Sequence, residues 1–159
     1  MLLKNRLNIE GALLPKDITG AAPTGQWICV KNYSHVTILL GQGARAGGPP
    51  AVTMLQAQNV SGLNAKALPF TKRYQQAWNS GTAGYAETAV TNNTFPLPAT
   101  ANQVHLLEID TATLDGANGF DCMQVNLATP GANADLLAAL YLLSGSRYSD
   151  AIMPNALVN

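Results

Sequence analysis

The longest apolar run in the sequence is Leu136-Leu-Ala-Ala-Leu-Tyr-Leu-Leu143, and the fold class depends on the structure it adopts. Its residues are good helix formers, so intrinsic propensity alone favours a helix. However, Phe120–Ala128 precedes it, and Thr129-Pro-Gly-Ala-Asn133 between the two runs is a natural chain reversal. A fully buried strand also reads as a continuous apolar run. We therefore predict a hairpin of two long strands, with a helix over residues 136–143 as the alternative.

Turn-forming residues recur every 8 to 15 positions outward from this run. The segments between them are short and rich in Val, Ile, Leu, Thr, Tyr and Trp. This spacing is typical of an antiparallel sandwich or barrel rather than of βαβ units. We therefore expect an all-β fold, an antiparallel β-sandwich that is jelly-roll-like and has extended N- and C-terminal arms. The predicted strands are Leu7–Leu14, Gln26–Lys31, His35–Leu40, Ala51–Ala57, Phe70–Trp78, Tyr85–Val90, His105–Asp110, Phe120–Ala128 and Leu136–Ser144.

The length of 159 residues predicts one domain with a core of its own. We assign residues 1–25 to an N-terminal arm and first strand, residues 26–144 to the sandwich core, and residues 145–159 to a C-terminal tail. The tail ends in apolar residues, which either pack on their own domain or dock on a neighbour. Gly41–Pro50 contains four glycines and no apolar anchor, so we predict an exposed, mobile loop there.

Charged side chains are scarce, because only 11% of the residues are Asp, Glu, Lys or Arg, compared with about 25% in an ordinary globular domain. Nine acids balance nine bases, and a surface without net charge promotes association. We therefore predict that other protein covers much of the surface in the working state. Without a basic excess, binding to nucleic acid or to an anionic membrane is not expected. The longest apolar run has eight residues, far short of the roughly 20 that cross a bilayer.

The charges are unevenly placed along the chain. Residues 1–73 carry a balance of +6, and residues 74–159 carry a balance of −6. Two interpretations are open. Either the strands of the two halves intermix and the field averages out, or complementary basic and acidic patches set the register between copies.

The sequence contains no recognisable catalytic motif. His35 and His105 are its only histidines, neither lies in a known motif, and there is no Gly-x-Ser-x-Gly elbow. Cys29 and Cys122 lie in separate strand-like runs, where reduced core thiols are expected. We therefore expect a protein that is not an enzyme and needs no cofactor.

Three oxygen-bearing side chains, Asp115, Asn118 and Asp121, follow one another at three-residue intervals. Calcium prefers oxygen ligands, so this group is a candidate calcium site, although its spacing differs from that of an EF-hand. Asp, Asn and Gly are also ordinary turn formers, and we favour a tight turn without metal.

Two further patterns are open to a functional interpretation. Glu108 and Asp110 share a face of a predicted strand, as a pair of hydrolase carboxylates could. Trp78 and Tyr85 could line a sugar-binding groove, although packing in the core or across strands is the commoner use of aromatic side chains. A β-sandwich hydrolase and a carbohydrate-binding module are therefore kept as alternatives.

Several segments are similar to a known family. They are Gly25-Gln-Trp-Ile-Cys-Val-Lys-Asn-Tyr33, Ala67-Leu-Pro-Phe-Thr71 with Tyr74, Leu114–Gln124, and Ala139-Leu-Tyr141 with Arg147-Tyr148 and Pro154. Over about residues 15–158 the sequence resembles small proteins of tailed bacteriophages and prophages that tend to be encoded beside the major capsid protein. The most specific stretch is Asn118-Gly-Phe-Asp-Cys-Met-Gln124. The resemblance implies a virion protein that decorates or cements the capsid shell, with no catalytic residues to carry over.

The resemblance also implies partners and a location. The partners are the major capsid protein and sister copies, with a homotrimer expected, and the location is the capsid exterior of a virion made in the host cytoplasm. The residues predicted to contact the capsid or sister copies are Lys4, Arg6, Leu7, Arg45, Tyr148, Ile152 and Leu157. A tail or head-completion structural protein is a further alternative, because it needs a similar rigid β core and similar arms.

Overall fold

A computed structural model shows a chain whose regular secondary structure is almost entirely β-strand, with 52% of residues in strands and 4% in helix. It describes residues 6–46, 48–78, 81, 84–128, 134–147 and 156–157. The strands are β1 (Leu7–Asp17), β2 (Ile28–Cys29), β3 (His35–Arg45), β4 (Ala51–Ala57), β5 (Lys66–Ala67), β6 (Lys72–Ala77), β7 (Ala86–Ala89), β8 (Thr94–Pro96), β9 (Gln103–Asp110), β10 (Cys122–Leu127) and β11 (Asp135–Ser144). Two single turns of 3-10 helix follow β9, at Thr111–Thr113 and Gly116–Asn118. The all-β prediction is confirmed, and residues 136–143 form a strand rather than a helix.

The strands form two antiparallel sheets that pack together. The large sheet has six strands in the order β1-β11-β3-β9-β6-β7. The small sheet has the order β2-β10-β4-β5, and β8 pairs with the first three residues of β4. The antiparallel sandwich predicted from the turn spacing is therefore confirmed, while its jelly-roll character stays a prediction.

The predicted hairpin of β10 and β11 is wrong, because the two strands belong to different sheets. β10 pairs with β2 and β4, whereas β11 pairs with β1 and β3. They meet across the core, where the Tyr141 hydroxyl accepts a hydrogen bond from the Val125 N–H at 2.8 Å and donates one to the Gln26 carbonyl at 2.9 Å. Each strand has an apolar inner face, and placing these faces against each other buries both.

The predicted loop over Gly41–Pro50 is wrong in its first half, because β3 continues to residue 45. Gly41 pairs with β9 on one side and with β11 on the other, so its backbone lies between two strands of the ladder. Gln42 is buried, with 3% of its surface exposed. Ladder pairing on both sides outweighs the intrinsic cost of glycine in a strand.

The core lies between the sheets and is filled by alternate residues of their strands. The large sheet contributes Ile38, Leu107 and Tyr141, and the small sheet contributes Met54 and Val125, all fully buried. The same alternation leaves the second face of the large sheet outside the core. Among the residues that the structure describes, no helix has the length and apolar character that a membrane crossing needs.

The described parts of both terminal segments pack on the sandwich. β1 is the edge strand of the large sheet, and Ile18 beyond its end is 1% exposed. Ala156 is fully buried, and its carbonyl accepts a hydrogen bond from the Cys29 N–H at 2.6 Å. Of the two arrangements expected for the C-terminal tail, Ala156 shows packing on its own domain, whereas Leu157 is 40% exposed.

Candidate protein interface

The outer face of the large sheet carries a concentration of apolar side chains. On β11, Leu137 and Tyr141 point inward and are buried, whereas Leu136 and Leu140 point outward with 45% and 40% of their surface exposed. A half-buried antiparallel strand normally alternates apolar with polar residues, but β11 is apolar on both faces. The prediction that this run is fully buried is therefore wrong on its outer face.

The cross-strand register continues this apolar surface over neighbouring strands. Leu140 pairs with Leu39 on β3, and Leu39 pairs with Leu106 on β9. Leu106 in turn pairs with Tyr74 on β6, which pairs with Glu87 on the edge strand β7. Because directly paired residues share a face, these side chains form one row across the sheet, apolar up to its last member.

Two flanking rows widen the apolar area. On one flank, Ile9 of β1 pairs with Leu142 and is 49% exposed. On the other flank, Ala138 pairs with Gly41, and the bare glycine backbone leaves a shallow depression of about 340 Å³ beside Leu136. We define the outer apolar patch as Ile9, Leu39, Leu106, Leu136, Ala138, Leu140 and Leu142.

Polar groups border the outer apolar patch. At one end, the Glu108 carboxylate contacts the His35 imidazole and accepts a hydrogen bond from the Thr37 hydroxyl at 3.0 Å. At the β7 edge, the Lys72 ammonium pairs with the Glu87 carboxylate at 2.8 Å. An apolar centre within a polar rim is the usual anatomy of a protein–protein interface. The largest contiguous apolar patch on a protein surface is often a functional site, so this face is our candidate interface.

The edge strand β1 is irregular in a way that limits pairing with a further strand. Its register with β11 shifts between Gly11 and Leu13, and again between Leu13 and Lys16. Pro15 in this stretch has no N–H to donate, and Leu14 projects with 83% of its surface exposed. Bulges and proline on an edge strand hinder edge-to-edge pairing, which favours contact through the face of the sheet.

One residue that the sequence predicted for the interface, Leu7, lies next to the outer apolar patch. It precedes Ile9 by two positions on β1, so the two side chains share a face. Arg6 is exposed just before β1, and Leu157 is 40% exposed in the C-terminal segment. The predicted contact residues Lys4, Tyr148 and Ile152 lie outside the described residues.

Arg45 does not project from an exposed loop, as the sequence predicted, because β3 carries it into the interior. Its side chain is 2% exposed, and its Nε lies 3.8 Å from a carboxylate oxygen of Asp135, which is fully buried. Its Nη1 also donates a hydrogen bond to the Pro98 carbonyl. The guanidinium is thus directed to groups of its own chain and away from any partner surface.

The oppositely charged halves of the sequence intermix in the fold. Ion pairs that join them within the described part of the chain include Lys66–Asp115, Lys72–Glu87 and Arg45–Asp135. In each pair the cation comes from residues 1–73 and the anion from residues 74–159. In the large sheet, β1 and β3 of the basic half also alternate with β11 and β9 of the acidic half. Of the two interpretations of the charge pattern, the structure therefore supports intermixing.

The candidate calcium residues are divided between two places. The Asn118 amide donates to both carboxylate oxygens of Asp115 at 2.9 Å. The Lys66 ammonium contacts the same carboxylate and, with Asn118, holds the pKa of Asp115 below its ordinary value. Asp121 lies beside Cys122 instead. A cation of the protein therefore already neutralises the Asp115 carboxylate, and this arrangement fits a turn better than a set of calcium ligands.

The candidate hydrolase carboxylates contact groups of the protein itself. Glu108 takes part in the contacts with His35 and Thr37 described above. Asp110 accepts a hydrogen bond from the Ala112 N–H at 2.9 Å and so caps the 3-10 turn after β9. The contacts of each carboxylate therefore have a structural explanation.

The candidate sugar-binding aromatics are both exposed. Trp78 has 62% of its surface exposed and Tyr85 has 44%. Trp78 borders a second shallow depression, which Gly41, Gly43 and Asn102 also line. This depression adjoins the outer apolar patch, so Trp78 could contribute to the same contact surface.

His105 lies on the inner face of β9 and is fully buried. Arg73 on the neighbouring strand β6 approaches it, with 3.5 Å between the guanidinium Nη1 and the imidazole Nδ1. Burial, with a smaller effect from the Arg73 charge, lowers the pKa of His105 to about 4. The imidazole is therefore neutral in the folded protein near pH 7.

Acid is expected to destabilise the protein through His105. Its pKa falls from 6.5 to about 4 on folding, so its stabilising contribution is complete above pH 6.5 and is lost as the pH falls towards 4. By about pH 4.5 this loss reaches roughly 2–3 kcal/mol. Urea denaturation at about pH 7 and about pH 4.5 gives the free energy of unfolding at each pH. Between the two, this free energy should fall less for His105→Gln than for the parent. The surface variant His35→Gln is the control, and an undiminished fall in His105→Gln would contradict the assignment.

Comparison of the chain with known protein families and with curated proteins gives no match. The functional interpretation therefore depends on the geometry of the outer apolar patch, together with the resemblance carried by the sequence segments quoted above.

Proposed function

We propose that the protein is a structural component of a tailed-phage virion that decorates and stabilises the outside of the capsid. It binds the major capsid protein and sister copies by non-covalent burial of surface. The outer apolar patch is the observation that carries this proposal, because a free monomer would expose it to water. The identity of the partner comes from the sequence resemblance.

The dimensions of the outer apolar patch suit the centre of an interface. Neighbouring strands lie about 4.8 Å apart and a strand rises about 3.4 Å per residue, so the patch measures roughly 20 Å in each direction. A square of this size covers about 400 Å², which is an upper bound for the seven side chains and half of the roughly 800 Å² that each partner contributes to a stable interface. The polar rim and the terminal segments must supply the remainder.

An energetic comparison supports contact at several points. Burying at most about 400 Å² of apolar surface on each partner contributes no more than roughly 20 kcal/mol at about 25 cal/mol per Å². Association costs about 4–15 kcal/mol in lost motion, and ordering of side chains adds to that cost. One patch is therefore sufficient for a weak contact, and simultaneous binding to a lattice and to sister copies would raise the avidity.

Cryo-electron microscopy of the virion, with this protein present and absent, tests the proposal. We expect additional density on the capsid exterior, repeated over the lattice, only when the protein is present. Unchanged exterior density would contradict decoration. A few copies confined to the tail or its attachment site would support the alternative of a tail or head-completion protein.

A second candidate function is carbohydrate binding, which the exposure of Trp78 favours. An exposed indole next to a shallow depression can stack on a sugar ring. Binding to a glycan array, lost in Trp78→Ala but retained in Tyr85→Ala, would assign that role to Trp78. A chain that binds no glycan would leave Trp78 as part of the protein contact surface.

A further inference from the structure

Cys29 and Cys122 form a pair of facing thiols. They are directly paired in the register of β2 and β10, and both are buried and reduced. They do not belong to the core between the sheets, because Met123 and Val125 occupy the inward positions of β10. The two thiols therefore share the face of the small sheet opposite the inter-sheet cluster, and both are buried and reduced, as the sequence predicted.

The backbone hydrogen bonds define the type of pairing. The Cys29 N–H donates to the Ala156 carbonyl and not to Cys122, whereas the Val30 N–H donates to the Asp121 carbonyl at 2.7 Å. Cys29 and Cys122 are therefore a non-hydrogen-bonded antiparallel pair, whose Cα atoms typically lie about 4.5 Å apart. This separation is within the range of about 4.4–6.8 Å that a disulfide spans.

The side-chain environment gives the two thiols different pKa values, so that Cys29 is the more readily ionised one and Cys122 stays protonated. A hydrogen bond from the Cys122 thiol lowers the pKa of Cys29 to about 7, while donation to Cys29 and burial raise the pKa of Cys122. The Cys122 Sγ also lies 3.3 Å from the Asp121 Oδ1. The Cys122 proton therefore has two acceptors, and the Asp121 carboxylate remains available when Cys29 has reacted.

We propose that Cys29 and Cys122 are an oxidation site at which a small peroxide forms an intramolecular disulfide. Cys29 is 4% exposed and Cys122 is fully buried, so the oxidant must be small and Cys29 is the first point of attack. The site is independent of the proposed capsid binding, because it lies on the other sheet.

The chemistry is a two-electron oxidation of two thiols. The Cys29 thiolate attacks a peroxide oxygen, the O–O bond breaks, and a sulfenic acid forms with release of hydroxide. The Cys122 sulfur then attacks the sulfenic sulfur, so the S–S bond forms and the S–O bond breaks. The Cys122 proton passes through the Asp121 carboxylate to the departing hydroxide as water. With hydrogen peroxide, the hydroxide released in the first step takes up the proton that the Cys29 thiol lost on ionising, so the peroxide is reduced to two waters in total.

The cross-link would stabilise the fold by restricting the unfolded chain. It closes a loop of roughly 93 residues between positions 29 and 122, and loops of this length give close to the largest effect in the chain-entropy description. It also fixes β2, which has only two residues, to the central strand β10. An increase in Tm of about 10 °C is expected for a chain of this size.

The test is to treat the reduced, purified full-length chain with hydrogen peroxide and to measure intact mass, thiol alkylation and Tm. We expect loss of the mass of two hydrogens, protection of both thiols from alkylation, and an increase in Tm that a dithiol reductant reverses. Cys29→Ser and Cys122→Ser should each abolish the increase. In Cys122→Ser, the oxidised Cys29 should be trapped by dimedone, because the resolving thiol is missing.

Three outcomes would overturn the proposal. One is that both thiols of the parent stay open to alkylation after peroxide treatment. Another is that the cross-link joins two chains. The third concerns metal, because the two sulfurs and an Asp121 oxygen lie within 4.8 Å of one another. If the purified protein holds one zinc ion per chain that protects the thiols, the cluster is a metal site instead.

Discussion

Asp135→Ala is expected to lower the free energy of unfolding by about 3–5 kcal/mol. The carboxylate is fully buried, and the Arg45 guanidinium beside it is 2% exposed. Burial raises the pKa of Asp135, while the charge of Arg45 opposes that rise. Removing the carboxylate leaves the Arg45 charge in the interior without its counter-ion, which is the costly way to disrupt a buried ion pair. Urea denaturation near pH 7 measures the loss.

The matched control replaces both partners with apolar residues, as Arg45→Met with Asp135→Leu. Continuum theory and mutational studies indicate that such a replacement costs little or even stabilises, because two desolvation costs disappear together. We therefore expect the double variant to recover most of the stability lost in Asp135→Ala. A double variant as unstable as the single one would show that the loss of stability comes from packing around Asp135 and not from the unpaired charge of Arg45.

Local sequence patterns predict the long strands but not their partners, and they miss the short strands β5 and β8. β4 forms over the predicted residues Ala51–Ala57, and most other long strands overlap their predicted segments. Pairing depends on residues far apart in sequence, and β10 and β11 illustrate the problem. Their short turn-forming connection suggested a hairpin, while the structure places them in separate sheets. Burial across the core is a non-local effect that no window of sequence contains.

Glycine content was misleading where tertiary pairing overrides local preference. Four glycines between Gly41 and Pro50 predicted a loop, but β9 and β11 pair with both sides of Gly41. The predicted position of Arg45 is wrong for a related reason. Strict alternation along β3 would place Arg45 on the outer face with Leu39, but the register shift between Asp135 and Leu137 turns its side chain into the interior. The charge balance of each half of the sequence does not show which charges meet in the fold, because partners such as Lys66 and Asp115 are distant in sequence.

The outer apolar patch was partly visible in the sequence. Leu136–Leu143 is apolar at both odd and even positions. Odd and even positions of a strand face opposite sides of the sheet, so only one set can face a single core. A continuous apolar run predicts a strand buried on both sides, which would require a third layer. The structure shows two layers, so Leu136 and Leu140 remain open to a partner. The low charge content of the sequence is therefore matched by an apolar patch on the outer face of the large sheet.

If the protein binds the capsid as proposed, Leu140→Lys is expected to weaken that binding by about 100-fold while leaving the fold intact. Leu140 lies in the central row of the outer apolar patch, and binding would bury an added ammonium in an apolar interface. A loss of roughly 2–4 kcal/mol is usual for a central interface residue, and about 2.7 kcal/mol corresponds to 100-fold. In the free chain, Leu140 is already 40% exposed, so the change in Tm should be small.

The matched control is Leu63→Lys, which makes the same substitution at a leucine that is 54% exposed and lies away from the large sheet. Sedimentation of each variant with capsids that lack the protein measures binding, and circular dichroism checks the fold. We expect Leu63→Lys to bind like the parent, because its side chain is remote from the outer apolar patch. If Leu140→Lys also binds like the parent, the face of the large sheet is not the capsid contact. If Leu140→Lys loses binding only together with its Tm, the loss reflects folding, and Leu136→Lys, also in the patch, would then separate the two effects.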